Sequence, residues 1–125
     1  MTDTNARLMV NALSVELPDP ARRGRWVRAV VDVDLELTPG TITAVVGESG
    51  SGKSMIISAL TGLLPPGARV AGEALLRHDD GDWIDLLTAP ERLLARSVRG
   101  RLLGVIGQSA PTSFTPVRTI AAQLA

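Results

Sequence analysis

Residues Gly47 to Ser54, "GESGSGKS", leave this chain few folds to choose from, because three glycines and three serines crowd around the only lysine in 125 residues. Glycine is the residue of choice where the backbone must enter conformations closed to residues with a β-carbon, or approach another group closely. What flanks the segment decides its use. Before it, "TITAVV", Thr41 to Val46, is an apolar, β-branched run of the kind buried on both faces of a sheet. After it, Met55, Ile56, Ala59, Leu60, Leu63 and Leu64 recur at three- and four-residue spacing. This predicts an amphipathic helix from Lys53 to Leu64, ended by Pro65 and Pro66. The order strand, glycine-rich loop, helix calls for an α/β fold.

In that order the pattern G-x-x-x-x-G-K-[ST] reads as a phosphate-binding loop. Glycines 47, 50 and 52 let successive amide N–H groups turn inward around an anion, at the positive end of the following helix. Glu48, Ser49 and Ser51 fill the loop between them. Lys53 would reach the outer phosphates as a compact point charge, a position for which the planar guanidinium fork is poorly shaped. The other twelve basic residues are all arginine, so the single lysine has a specific use there. Ser54 would offer its hydroxyl to Mg²⁺. The alternative is a flexible Gly/Ser linker, which would not need an apolar strand and an amphipathic helix at its two ends.

Upstream, "RLMVNALSVEL", Arg7 to Leu17, predicts a strand, and "LPDPARRG" turns the chain. In "VRAVVDVDLEL" the odd positions from Val27 to Leu37 are all apolar and the even ones polar, except Val30, which is apolar and out of phase. That alternation predicts a half-buried strand. "LLGVIGQ", Leu102 to Gln108, predicts a further buried strand delivering the Gln108 amide at its carboxyl end, where open α/β sheets place ligands; a solvent-facing loop amide is the other reading. "HDDGDW", His78 to Trp83, predicts an acidic turn between two short strands, with His78 lacking partner histidines or cysteines for a metal site. Arg92, Arg96 and Arg99 predict a solvated face on a short helix, or a face docking onto an acidic partner or lipid surface.

Composition removes other classes. A formal net charge of zero and only 2% aromatic residues argue against a nucleic-acid binder. No cysteine is present, so disulfides and thiolate metal sites are excluded, as in a protein of a reducing compartment. No apolar stretch is long enough for a spanning helix, and the first residues, "MTDTNARLMVNAL", do not resemble a signal peptide.

The sequence resembles ATP-binding cassette (ABC) subunits, and specifically the dipeptide, oligopeptide and nickel importer group. "VVGESGSGKS" looks like the Walker A loop, "GLLPPGARVAGEALL" like the segment after the first helix, and "RSVRGRLLGVIGQSAPTSFTP" like the run into the Q-loop. The resemblance covers nearly the whole chain from about Leu8. It implies a P-loop NTPase of ABC type, with an N-terminal antiparallel β layer and an incomplete parallel core sheet. It also implies ATP and Mg²⁺ as cofactors, bound by residues 47 to 54. Gln108 matches the Q-loop glutamine, which in the family contacts Mg²⁺ and the attacking water and couples the site to the membrane partner. Trp26 lies near the aromatic residue on which such subunits stack the adenine; a merely packed tryptophan is the other reading. After Gln108 the family has an acidic residue and then proline, whereas Ser109, Ala110 and Pro111 follow here.

The family's signature sequence, Walker B aspartate, catalytic glutamate and switch histidine lie beyond the Q-loop and have no counterpart within residues 1–125. Asp32 and Asp34 precede the loop and alternate onto the polar face of their strand. The expectation is therefore a truncated domain, or a fragment, that holds ATP without hydrolysing it. The parent would power uptake of peptides or nickel from the cytoplasmic face of the membrane, as a peripheral subunit. Its partners would be a second ATP-binding subunit, transmembrane permeases and, through these, a solute-binding protein. A non-catalytic remnant and another P-loop enzyme, such as a small-molecule kinase, are the alternatives.

Overall fold

A computed structural model describes residues 5–108 and 115–124. Its centre is a four-stranded antiparallel sheet in the order β2-β1-β3-β4. The strands are β1 (Leu8–Pro18), β2 (Trp26–Leu37), β3 (Arg69–Arg77) and β4 (Trp83–Asp85). The first two match the sequence reading to within a residue. Between them Asp19 caps the turn, its carboxylate accepting a hydrogen bond of 2.8 Å from the Ala21 N–H. The antiparallel β layer expected ahead of the phosphate loop is therefore present, and β3 and β4 extend it.

The phase of the apolar residues in β1 and β2 is set by bulges. Leu8 pairs with Leu37 and Val10 with Leu35, but beyond that the register shifts three times, giving Leu13 with Val33, Val15 with Val30 and Leu17 with Val27. Ala12 (φ 50°) and Asp32 (φ 51°) sit at two of these shifts in the left-handed region. One extra residue on β1 and one on β2 cancel, and a third extra residue falls on β2 beside Ala29. This explains the out-of-phase valine: Val30, not Val31, faces the core, being 5% exposed against 55% for its neighbour. Bulges leave ladder N–H groups without a carbonyl, and side chains supply the acceptors. Asp34 Oδ1 takes the Ala12 N–H at 2.7 Å, and Ser14 Oγ takes the Asp32 N–H at 2.9 Å. The distortion reaches β3, where Gly72 has φ 100° and a β-carbon would lie 2.5 Å from the Ala12 carbonyl oxygen.

Helix α1 (Lys53–Thr61) lays Ala59 and Leu60 against the inner face of this sheet. There they meet Leu8, Val10, Leu13 and Val15 of β1, with Ala74 and Leu76 of β3 beside them. Leu86, Leu94 and Val98, from the segment after β4, close the far side of the core. The helix stops at Gly62, earlier than the expected Leu64. Gly62 (φ 68°) donates to Ala59 O and Leu63 to Ser58 O, the Schellman pattern that ends a helix with a left-handed glycine. The glycine, not the prolines, is the stop.

Helix α2 (Glu91–Leu93) runs into a π-helical turn, Leu94–Val98. Arg99 then turns into extended backbone (φ −67°, ψ 128°). It therefore leaves the helical face expected for it and bonds the Glu91 carboxylate, with its side chain 23% exposed. The acidic turn at His78 is as expected: His78 N donates to Asp82 O at 2.7 Å and Gly81 N to His78 O at 3.0 Å, between β3 and β4. A last short helix, α3, spans Ile120–Leu124.

Two expected strands are not formed. Residues 41–47 and 104–107 have no regular structure. The runs meant to be buried are bare instead, with Ile42 and Ile106 each 100% exposed and Val46 91%. A central strand is buried only when strands lie along both its edges and helices cover both faces. Among the described residues nothing pairs with either run, and the only parallel contact is the isolated bridge of Arg99 with Leu103. Among the described residues no parallel core sheet is assembled.

Candidate phosphate-binding cleft

The loop lies between the end of one bare run and the first turn of α1. Gly52 precedes the helix with φ 93°, and its neighbour is β2: a β-carbon at Gly52 would stand 2.2 Å from the Ala29 carbonyl oxygen and 3.4 Å from Val30 Cγ2. The bulge beside Ala29 thus brings main chain of β2 directly against the loop. Within the loop, Ser51 N donates to Glu48 O at 3.1 Å, a tight turn with Gly50 at φ 80°. A β-carbon at Gly47 would meet Ser51 Oγ at 2.6 Å, so a larger residue there would make the serine hydroxyl turn away.

The Lys53 side chain folds back over this turn. Its ammonium donates to the carbonyls of Gly47 and Glu48, both at 2.6 Å, and to Ser51 Oγ at 3.2 Å. Three acceptors within a few residues suit the three N–H bonds of an ammonium. The first N–H groups of a helix have no partner in their own ladder, and no carbonyl among the described residues accepts from those of Gly52, Lys53 or Ser54. Unpartnered amides at the helix start, a lysine in the same loop and the Ser54 hydroxyl are groups of the kind that bind an anionic phosphate with its magnesium ion.

These groups line an open cleft of about 650 Å³, formed by residues 49 to 55, by Leu17 of β1, by Val27, Arg28 and Ala29 of β2, and by Gln108. No carboxylate is among these lining residues. The structure thus brings Gln108 to the loop although the strand expected to deliver it is absent. Glu48 meets Lys53 through its carbonyl only and does not line the cleft. Trp26 stays outside: it opens β2 half-buried, with the Arg69 guanidinium 3.6 Å from its ring centroid. Residues 109 and 110, where the family's acidic residue is missing, lie outside the described residues.

The family model for the ABC transporter matches residues 30–118, more than half of the chain. The chain belongs to the ABC transporter family. The match begins at the core valine of β2 and includes the whole phosphate-binding loop and Gln108. The chain is similar to three curated members of this family. It is 45% identical over 74% of its length to the nickel import ATP-binding protein NikD of Pseudomonas putida. It is 41% identical over 98% of its length to the peptidoglycan transport ATP-binding protein YejF of Agrobacterium fabrum. Over 82% of its length it is 37% identical to the oligopeptide transport ATP-binding protein OppD of Mycobacterium tuberculosis. The chain spans between 16% and 32% of the length of these relatives. No helix among the described residues is long and apolar enough to cross a membrane.

The sequence reading missed Leu17, Val27, Arg28 and Ala29 as walls of the cleft. Their positions depend on the bulge beside Ala29, and nothing in the spacing of a strand announces where an extra residue will be absorbed. The one local hint was Val30, apolar and out of phase.

Proposed function

We propose that this chain is the nucleotide-gripping front of an ABC transporter ATP-binding subunit of the importer kind, binding ATP with Mg²⁺ at the cleft under β2. Residues Gly47 to Ser54 would hold the phosphates through main-chain N–H groups, Lys53 would offset their charge, and Ser54 with Gln108 would hold the magnesium ion. Bound Mg²⁺ would offset phosphate charge; the protein's part is to orient the phosphate chain and hold it beside Gln108. The observation that carries this reading is the set of bonds from Lys53 to Gly47, Glu48 and Ser51, which fixes the ammonium among unpaired helix-start amides.

Binding without turnover is the activity proposed for these 125 residues, since the cleft offers cations and amides but no carboxylate to order a water. Peptides or nickel are the proposed cargo of the working transporter, from the names of the relatives. In that assembly the chain would act at the cytoplasmic face of the membrane, paired with a second ATP-binding subunit, bound to permease subunits and served by a solute-binding protein.

Titrating the purified chain with a fluorescent ATP analogue in the presence of Mg²⁺ tests the proposal. The expected result is saturable binding that Lys53→Ala weakens at least about tenfold, the scale of one charge-assisted contact. Equal affinity in the two proteins, or none in the wild type, would overturn it.

A further inference from the structure

One cation of the cleft has no part in the loop motif. Arg28 lines the cleft together with residues 49 to 55, and among the described residues it is the only arginine to do so. Its position follows from β2: it pairs with Glu16 across the ladder, immediately before Ala29, whose carbonyl abuts Gly52. The backbone that carries Arg28 is therefore one residue from the loop. β2 is an edge strand, so no further strand stands between Arg28 and the cleft.

The guanidinium is held only loosely. Its ion pair with Glu16 is 3.7 Å long, and 73% of the Arg28 side chain is exposed. A surface pair of that length contributes little and costs little to break. Lys53, by contrast, is tied to the loop by three hydrogen bonds, two of them at 2.6 Å. The cleft thus has one cation bonded into the loop and one weakly paired, exposed cation on the strand wall, with no carboxylate among the lining residues. A guanidinium binds phosphate oxygens through paired N–H bonds, which an ammonium cannot do.

We propose that Arg28 is a second phosphate-binding residue of this cleft, swinging from Glu16 to the nucleotide's phosphate chain on the side facing β2. The proposal rests on the reading of the cleft as a nucleotide site. Glu16 then competes with the nucleotide for the same guanidinium.

The test is the affinity of the full chain for MgATP at several salt concentrations, in Arg28→Ala, Arg28→Lys and Glu16→Gln, with Lys53→Ala as the reference. Arg28→Ala is expected to weaken binding about three- to tenfold, the range of an exposed charge-assisted bond, and to flatten its salt dependence. Arg28→Lys restores part of the affinity, and Glu16→Gln tightens binding by releasing the arginine. Unchanged affinity in Arg28→Ala, beside a clear loss in Lys53→Ala, overturns the proposal and leaves the nucleotide reading intact. Absence of binding in the wild type overturns both. Should Arg28→Ala not fold, unaltered affinity and salt slope in both Arg28→Lys and Glu16→Gln would overturn it equally.

Discussion

The carbonyl oxygen of Ala29 stands so close to Gly52 that a β-carbon on that glycine would come within 2.2 Å of it. The glycine-rich loop is thereby packed at Gly52 against the main chain of the antiparallel sheet. Gly52 is needed twice over, for this approach and for its φ of 93°.

Gly52→Ala is expected to disable the loop while sparing the sheet. The added methyl group must push the loop off β2, and left-handed backbone costs an alanine about 1–2 kcal/mol. ATP affinity falls at least as far as in Lys53→Ala, while the far-ultraviolet circular dichroism of the sheet is retained. Wild-type affinity in Gly52→Ala would contradict the contact.

Asp34 has a structural task. Its carboxylate accepts the Ala12 N–H that the β1 bulge leaves without a carbonyl. Asp34→Ala is expected to destabilise the fold by about 1 kcal/mol in urea unfolding, the usual worth of one hydrogen bond at an exposed site. Asp34→Asn, which keeps an acceptor oxygen, recovers most of it. Nucleotide affinity at saturating stability should not change in either variant.

Acid should loosen the turn between β3 and β4. The Asp82 N–H bonded to Asp80 holds the Asp80 carboxyl below the ordinary carboxylate range, with His78 lowering it further. A depressed value in the folded chain means that the charged form is favoured there. Its contribution is complete above the ordinary carboxylate value and is lost as pH falls through the lowered one. The amide resonance of Asp82 should titrate at this lowered value. Titration at the ordinary carboxylate value would refute the bond.

The sequence pattern pointed to the loop of Gly47, Lys53 and Ser54 by spacing and to β1 and β2 by alternation, and the structure places residues 49 to 54 and Gln108 along one cleft. Two things were hidden for physical reasons. Ala12 and Asp32 take positive φ without being glycine, so no residue type marked the bulges, and Val30 alone betrayed them. The runs at Thr41 to Val46 and Leu102 to Gln108 carry the composition of buried strands, but composition states only a preference for burial. Whether it is met depends on neighbours along both edges, and among the described residues these runs have none beyond the isolated bridge of Leu103 with Arg99.

The paired left-handed residues Ala12 and Asp32 bear on how such a sheet can change over generations. Deleting Ala12 would leave Val10 and Leu13 two residues apart, and deleting Asp32 would do the same for Val30 and Val33. Each bulge can therefore be lost by a one-residue deletion that keeps the apolar residues on the helix side of the sheet.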